Sequence, residues 1–133
     1  MVSFKFGKHL PDQVVGDRFR VEHIITNLLS NAIKFSPNGK EIVIDVSGMV
    51  VPNVITSDVE NNQTNMPKSR GSIDMTIKIT DAGPGISPVN QAKLFNNFVQ
   101  IRPHALQKGE GSGLGLALCK AIVELHNGTI GVC

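Results

Sequence analysis

Between residues 21 and 35 the apolar side chains Val21, Ile24, Ile25, Leu28, Leu29, Ala32, Ile33 and Phe35 recur at intervals of three and four. An α-helix satisfies that period and a strand does not. The set fills about half of a helical wheel at roughly 100° per residue, so the helix must be covered by a second layer. Asp17 marks its start, and Ser36-Pro37-Asn38-Gly39 stops it. Two segments with a period of two supply the second layer. Residues 41–46 set Ile42, Ile44 and Val46 against Val43 and Asp45, and residues 73–80 alternate Ile, Met, Ile and Ile with Asp, Thr, Lys and Thr. Both read as strands with one wet face. Residues 2–6 alternate in the same way over a shorter run, and Leu10 to Gly16, with its Pro and Gly, reads as a connection.

Residues 56–72 are rich in Asn and Ser and nearly free of apolar side chains, the composition of an exposed or disordered insertion. Ser87-Pro88 gives an N-cap followed by proline at the first helical position, which predicts a short helix towards Phe95. Residues 99–110 show no period and lead into a glycine-rich island, so residues 99–112 read as a lid. Beyond Gly113, Leu114, Leu118, Ala121, Ile122 and Leu125 follow helical spacing, Lys120 and Glu124 stand four apart on the wet side, and Asn127-Gly128 supplies a C-cap. Residues 129–132 restart a strand. The order strand, helix, paired strands, helix, helix, strand predicts an α+β two-layer sandwich with helices on one face of a mixed, mostly antiparallel sheet. With 133 residues of which 41% are apolar, the chain can bury one core, and a single domain is expected.

Composition narrows the function classes. Formal net charge is +2 and the basic residues are scattered, so nucleic acid is not an expected partner. Cys119 and Cys133 belong to no metal-ligand pattern and read as two reduced thiols. No apolar run reaches the length of a membrane span, and the first eight residues lack the apolar centre of a signal peptide. A soluble, cytoplasmic segment without direct membrane contact is expected.

Three islands carry chemistry. On the long helix His23, Asn27, Asn31 and Lys34 form one stripe at spacings of four, four and three. Alone, such a stripe reads as a solvated surface, but Asn31 lies at the border of the apolar arc, where a pocket floor can form. A carboxamide oxygen is a hard, neutral ligand suited to Mg²⁺ that shares its shell with phosphates and water. Lys34, one turn on, can reach the same phosphates. Asp81-Ala82-Gly83-Pro84-Gly85 follows the second paired strand. Turn chemistry alone explains its glycines, yet glycine also lets a flat ring approach the backbone, and a carboxylate there accepts from adenine's exocyclic amine while guanine offers an oxygen. Gly111-Ser112-Gly113-Leu114-Gly115 opens a helix, and successive bare amides at a helix N-terminus make an anion site. It is neither a mononucleotide P-loop nor a dinucleotide fingerprint.

In that order the islands resemble the motifs of the ATP-binding catalytic domain of sensor histidine kinases, within the gyrase, chaperone, histidine kinase and mismatch-repair ATPase superfamily with its Bergerat fold. Asn27-Leu28-Leu29-Ser30-Asn31-Ala32-Ile33-Lys34-Phe35-Ser36 resembles the N box, and Asp81-Ala82-Gly83-Pro84-Gly85-Ile86 the first glycine box. Leu94-Phe95-Asn96-Asn97-Phe98-Val99-Gln100 is similar to the F box, and Gly111 to Leu116 with Ala117-Leu118-Cys119-Lys120 to the second glycine box. The resemblance implies ATP and Mg²⁺ as cofactors, with Asn31 as the metal ligand and Asn27, Asn31 and Lys34 as the catalytic set. Phe35 would pack near the nucleotide, Asp81 would bond the adenine amine, and Gly83, Gly85 and Ile86 would complete the base site. Gly111, Ser112, Gly113, Leu114 and Gly115 would wrap the phosphates. Phe95 and Phe98 would anchor the lid, and Arg102 or Lys108 could meet the γ-phosphate or remain solvated.

Asn27 stands where hydrolysing members of the superfamily carry Glu. An amide cannot take a proton at neutral pH, so attack by water is disfavoured and transfer to a better nucleophile is implied; His23 is an alternative base. The resemblance implies transfer of the ATP γ-phosphoryl group to a histidine on a dimerisation and phosphoacceptor domain, with a response-regulator receiver domain downstream. An inactive ATP-sensing or docking domain is the alternative, and a serine kinase is disfavoured because those relatives tend to have Glu at position 27. His9, His23, His104 and His126 do not stand in the family's acceptor setting, and by the resemblance the domain is expected to lack its final strand. Activity would then need the acceptor domain in trans or from a longer parent. Glu110, where relatives often have glycine, places negative charge beside the phosphate loop.

Overall fold

Asp17 starts the first helix by accepting the backbone N–H of Arg20 on its carboxylate at 3.2 Å, which satisfies one of the donors that a helix N-terminus leaves without a partner. In the computed structural model, which describes residues 1–8, 10–51, 72–96 and 113–133, that helix, α1, runs Arg18–Phe35 between strand β1 at Val2–Phe6 and strand β2 at Ile42–Val51. Strand β3 is Ser72–Thr80, helix α2 is Pro88–Gln91 and helix α3 is Gly115–Leu125. The same N–H that caps α1 holds the Asp17 carboxyl below the ordinary carboxylate range, with the Arg20 side chain adding to the effect. A depressed folded value means that this contribution is present above the unfolded pKa and is lost as pH falls through the folded one. Acidification from about pH 5 to about pH 3 is therefore expected to lower the melting temperature of the parent more than that of Asp17→Asn, whose amide oxygen caps without titrating. Parallel thermal melts at the two pH values check this.

The sheet order is β1-β2-β3. Strands β1 and β2 pair in parallel from Val2↔Ile42 to Phe6↔Val46. Strands β2 and β3 pair antiparallel over a longer register, from Val43↔Thr80 to Val51↔Ser72. The sheet is thus mixed, with the antiparallel ladder dominant. Strand β2 continues to Val51, beyond the residue 46 expected from alternation; Gly48 and the residues after it stay in the ladder because β3 lies opposite them, which periodicity within one strand cannot reveal.

One sheet face collects Ile42, Ile44 and Val46 with Ile77 and Ile79 opposite, and α1 packs against both α3 and β3. Among the described residues the buried apolar side chains are Ala32 on α1, Ile42 and Ile44 on β2, and Cys119 and Ile122 on α3, with Cys119 fully covered. Alternation in β1 predicts a covered face there too. Instead Phe4 and Phe6 stack on each other, centroids 6.2 Å apart, and remain exposed. Helix α1 packs on β3, at the opposite edge of the sheet from β1.

Three further elements differ from the sequence reading. Helix α2 is one turn long, and the chain reaches Phe95 through turns rather than helix. Helix α3 buries Cys119 and Ile122 and leaves Leu118, Ala121 and Leu125 exposed, so its covered stripe is narrower than its apolar arc. Its end is a Schellman motif. Asn127 takes the left-handed conformation at φ 57°, its N–H donates to Glu124 O, and Gly128 N–H donates to Val123 O, each at 3.0 Å. The expected strand at residues 129–132 is absent; a strand exists only through its pairing, and this segment lies beside no strand among the described residues. On the wet side Lys120 and Glu124 pair at 3.7 Å as their spacing predicts. Of the insertion expected at residues 56–72, Ser72 instead begins β3; the rest of it and the lid at 99–112 lie outside the described residues. No described helix is long and apolar enough to cross a membrane.

Candidate nucleotide site

Asn27 and Asn31 are successive turns of one helix face, and their carboxamides meet: Asn31 Nδ2 donates to Asn27 Oδ1 at 3.4 Å. Each amide is thereby given one outward function. Asn31 keeps its carbonyl oxygen, the atom a cation needs, and Asn27 keeps its N–H donors, the atoms a phosphate needs. Both residues are half-buried, which agrees with a position at the border of the apolar arc. Lys34 is exposed one turn on, with its ammonium 5.7 Å from the centroid of the Phe35 ring. His23 lies on the same stripe and is exposed.

Helix α3 begins directly against this pair. A Cβ added to Gly115, its first residue, would sit 2.6 Å from both Asn27 Oδ1 and Asn27 Nδ2, so only glycine lets the helix approach the amide so closely. Gly113, with φ 70°, turns the chain into α3 in a conformation that side chains resist. Leu114 occupies the N-cap, so the helix opens at the end of the glycine island rather than at its middle. Gly111 and Ser112 lie outside the described residues, as do Phe98, Arg102, His104, Lys108 and Glu110.

At the other end of α1, the turn after β3 closes on the helix terminus. Gly83 N–H donates to Asp81 Oδ1 at 2.7 Å, and Ala82 N–H donates to Ser36 Oγ at 3.3 Å. A Cβ on Gly83 would lie 2.6 Å from Asp81 Oδ1 and 3.2 Å from the Phe35 carbonyl oxygen. Gly85 has φ 72°, the left-handed turn that its position requires. Ile86 is half-buried, and its carbonyl accepts from Gln91 Nε2 at 2.9 Å. Ser36 was legible in the sequence as part of a helix stop and as the last residue of the N box; nothing in residue spacing points to the peptide that it contacts forty-six positions later.

The described parts of the three sequence islands therefore sit along one helix: the end of the glycine island, Gly115, at Asn27, the paired amides next, and the Asp81 turn at Phe35 and Ser36. Eight residues of α-helix span about 12 Å, a length comparable to the reach from base to phosphates in an extended nucleotide. Two concavities lie elsewhere. One of about 380 Å³ is lined mainly by Phe6, Leu10, Pro11, Val14, Val46 and Met75, and one of about 270 Å³ follows Ile25, Leu29 and Ile33 along α1. Both are mainly apolar and neither is lined by the paired asparagines or the Asp81 turn, so convergence of polar groups identifies the site better than cavity size does. No cluster of three or more His, Cys, Asp or Glu able to hold a metal occurs among the described residues. Asn31 can still contribute one hard oxygen to an Mg²⁺ ion whose remaining ligands are phosphates and water. Burial pushes the Cys119 thiol up, away from the thiolate that reacts or binds metal.

Gly115→Ala sets two effects against each other. Alanine in place of glycine favours a helix by roughly 0.5–1 kcal/mol, while the new methyl must drive the Asn27 carboxamide aside. Because that amide is a side chain able to rotate, the expected result is little loss of thermal stability with a drop in nucleotide affinity of about tenfold or more, the scale of a displaced charge-assisted hydrogen bond. Melting curves and ATP titrations of the same preparation check it, and unchanged affinity would contradict this placement of Asn27.

Comparison with known proteins gives the family and the fold. Residues 16–133 match the family described as histidine kinase-, DNA gyrase B- and HSP90-like ATPase, and the chain belongs to that family. It is 33% identical over 122 residues to the sensor histidine kinase CusS of Escherichia coli, covering 90% of this chain and 20% of that protein. It is 37% identical over 127 residues to histidine kinase 5 of Arabidopsis thaliana, covering 92% of this chain and 14% of that one. The structure of the mycobacterial sensor histidine kinase MprB superposes with a TM-score of 0.59 at 28% identity, covering 95% of this chain and 65% of the other. The chain thus spans a fifth or less of the length of these two curated relatives. Its α+β sandwich is the fold of a histidine kinase ATP-binding catalytic domain.

Proposed function

We propose that this chain is the ATP-binding catalytic module of a sensor histidine kinase, passing the ATP γ-phosphoryl group to a histidine on a dimerisation and phosphoacceptor domain, with a response-regulator receiver domain as the next acceptor. The observation that carries this reading is Asn27, an amide at the place where hydrolysing family members hold a Glu, packed between Asn31 and Gly115. It can orient and donate, but it cannot take a proton from water.

The chain's own contributions are positional and electrostatic, which is what phosphoryl transfer needs most. One Asp81 carboxylate oxygen holds its turn and the other receives the adenine amine; Ile86 covers the ring. Asn27 donates to phosphate oxygens, Lys34 adds positive charge, and the backbone of the glycine island, Gly111 to Gly115, would complete the cradle. Asn31 would hold Mg²⁺, which when bound neutralises phosphate charge. In the transfer a histidine nitrogen forms a bond to the γ-phosphorus as the bond to the β,γ-bridging oxygen breaks. ADP leaves with that electron pair, and the imidazole proton passes to solvent.

Mixing the protein with a phosphoacceptor domain and γ-labelled ATP tests this. Label that is lost in acid and retained in alkali, and that depends on the acceptor histidine, is the expected result. Tight ATP binding without transfer would replace the reading by an ATP-sensing domain, and acid-stable label would replace it by a serine kinase.

A further inference from the structure

Ser36 occupies the joint between the helix of paired amides and the turn that carries Asp81. As C-cap of α1 its N–H donates to Ala32 O at 3.0 Å, and its φ of −75° and ψ of 139° lead the chain off the helix. Its hydroxyl is left to point outward, and it accepts the N–H of Ala82 at 3.3 Å. That N–H belongs to the peptide unit directly after Asp81. On the far side of Ala82, Gly83 N–H donates back to Asp81 Oδ1 at 2.7 Å, and the Gly83 Cα is pressed so near the α1 terminus that a methyl would meet the Phe35 carbonyl oxygen at 3.2 Å. The turn that aims Asp81 is thus held at two successive peptides, the Asp81–Ala82 unit externally by Ser36 and the Ala82–Gly83 unit internally by the carboxylate's own oxygen. Ending the helix does not require this. Glycine would end it equally well and offer Ala82 no acceptor.

We propose that Ser36 is a positioning residue that determines base specificity: by fixing the Asp81–Ala82 peptide against the end of α1, it sets the direction in which Asp81 presents its remaining oxygen and so the preference for adenine over guanine. The proposal rests on the reading of Asp81 as the adenine-binding carboxylate. Without the hydroxyl, the Ala82 N–H turns to water, the peptide gains freedom to rotate, and the carboxylate no longer meets the base at one fixed angle. Phosphate contacts, made farther along α1 by Asn27 and Asn31, do not depend on that angle. Ser36→Ala should therefore separate base recognition from phosphate binding, whereas a merely structural role would weaken both together.

Affinities of the parent, Ser36→Ala, Ser36→Thr and Asp81→Ala for Mg²⁺-ATP, Mg²⁺-GTP and magnesium tripolyphosphate, measured by calorimetry, decide the matter. For Ser36→Ala the expected result is ATP binding weakened about 3- to 10-fold, the worth of one neutral hydrogen bond, with a smaller ATP-over-GTP ratio and tripolyphosphate unchanged. Ser36→Thr, which keeps the hydroxyl, should stay within about twofold of the parent, less than the loss of one such bond. The ratio of two ligands is read on folded protein and so survives a fall in yield. An unchanged ratio in Ser36→Ala, or an equal loss for all three ligands, overturns the proposal. If Asp81→Ala abolishes the ratio and Ser36→Ala preserves it, only the role of Ser36 fails; if Asp81→Ala also preserves it, the reading of Asp81 fails with it.

Discussion

Asn31→Ala is expected to abolish magnesium-dependent nucleotide binding. The side chain is half-buried on α1, and its amide nitrogen is already committed to Asn27 at 3.4 Å, so the oxygen removed is the one available to a cation. No cluster of acidic or histidine ligands among the described residues can take over, and Mg²⁺ tolerates poor geometry badly. Loss of an outer partner at a metal site costs roughly 10–100-fold in affinity, and removal of the direct ligand should exceed that. Truncation also leaves the Asn27 carbonyl without its donor, which frees that amide to turn and present the wrong atom to phosphate. The measurement is ATP affinity with and without Mg²⁺. In the parent the two curves differ widely; in the variant they should coincide. An Mg²⁺ response of parental size would remove Asn31 from the metal position.

Asp81→Asn should exchange base preference more than it damages phosphate binding. Gly83 N–H already occupies Asp81 Oδ1 at 2.7 Å, and an Asn side chain can keep that bond with its own oxygen. The second position then changes from an acceptor to an N–H donor. A donor faces adenine's amine unfavourably and guanine's oxygen favourably. Loss of the charged hydrogen bond predicts ATP binding weaker by about 1.5–3 kcal/mol, roughly 10- to 150-fold, while GTP binding holds or improves and tripolyphosphate is unaffected. Sites that hydrogen-bond a substrate group discriminate strongly because mismatched partners are left unpaired. A variant with parental ATP-over-GTP selectivity would show that Asp81 does not read the base.

The long helix, the paired strands and the three islands were legible because each is local: a period, a cap or a run of glycines within a few residues of itself. Asp17 as N-cap and the Ser36-Pro37-Asn38-Gly39 stop bound α1 where the sequence places them. What sequence could not supply was anything decided by a neighbour distant in the chain. Strand β2 runs past its alternation because β3 lies opposite it, and residues 129–132 form no strand because pairing, not propensity, makes one. Leu118 and Leu125 follow the helical period yet stay exposed, while Cys119, which the sequence identified only as a thiol, is wholly covered. At the site, residue types announced the chemistry, but the contacts that orient them cross long intervals: Asn27 with Gly115 and Ser36 with Ala82.

The glycine-wide clearance between Asn27 and α3 makes two parts of the molecule report on each other. With no slack between the carboxamide and the first turn of α3, a displacement of that turn must rotate the amide, and whatever fixes the amide must hold the turn. Such coupling is reciprocal in free energy: occupancy at the paired asparagines and the resting place of the helix start are one equilibrium seen from two ends.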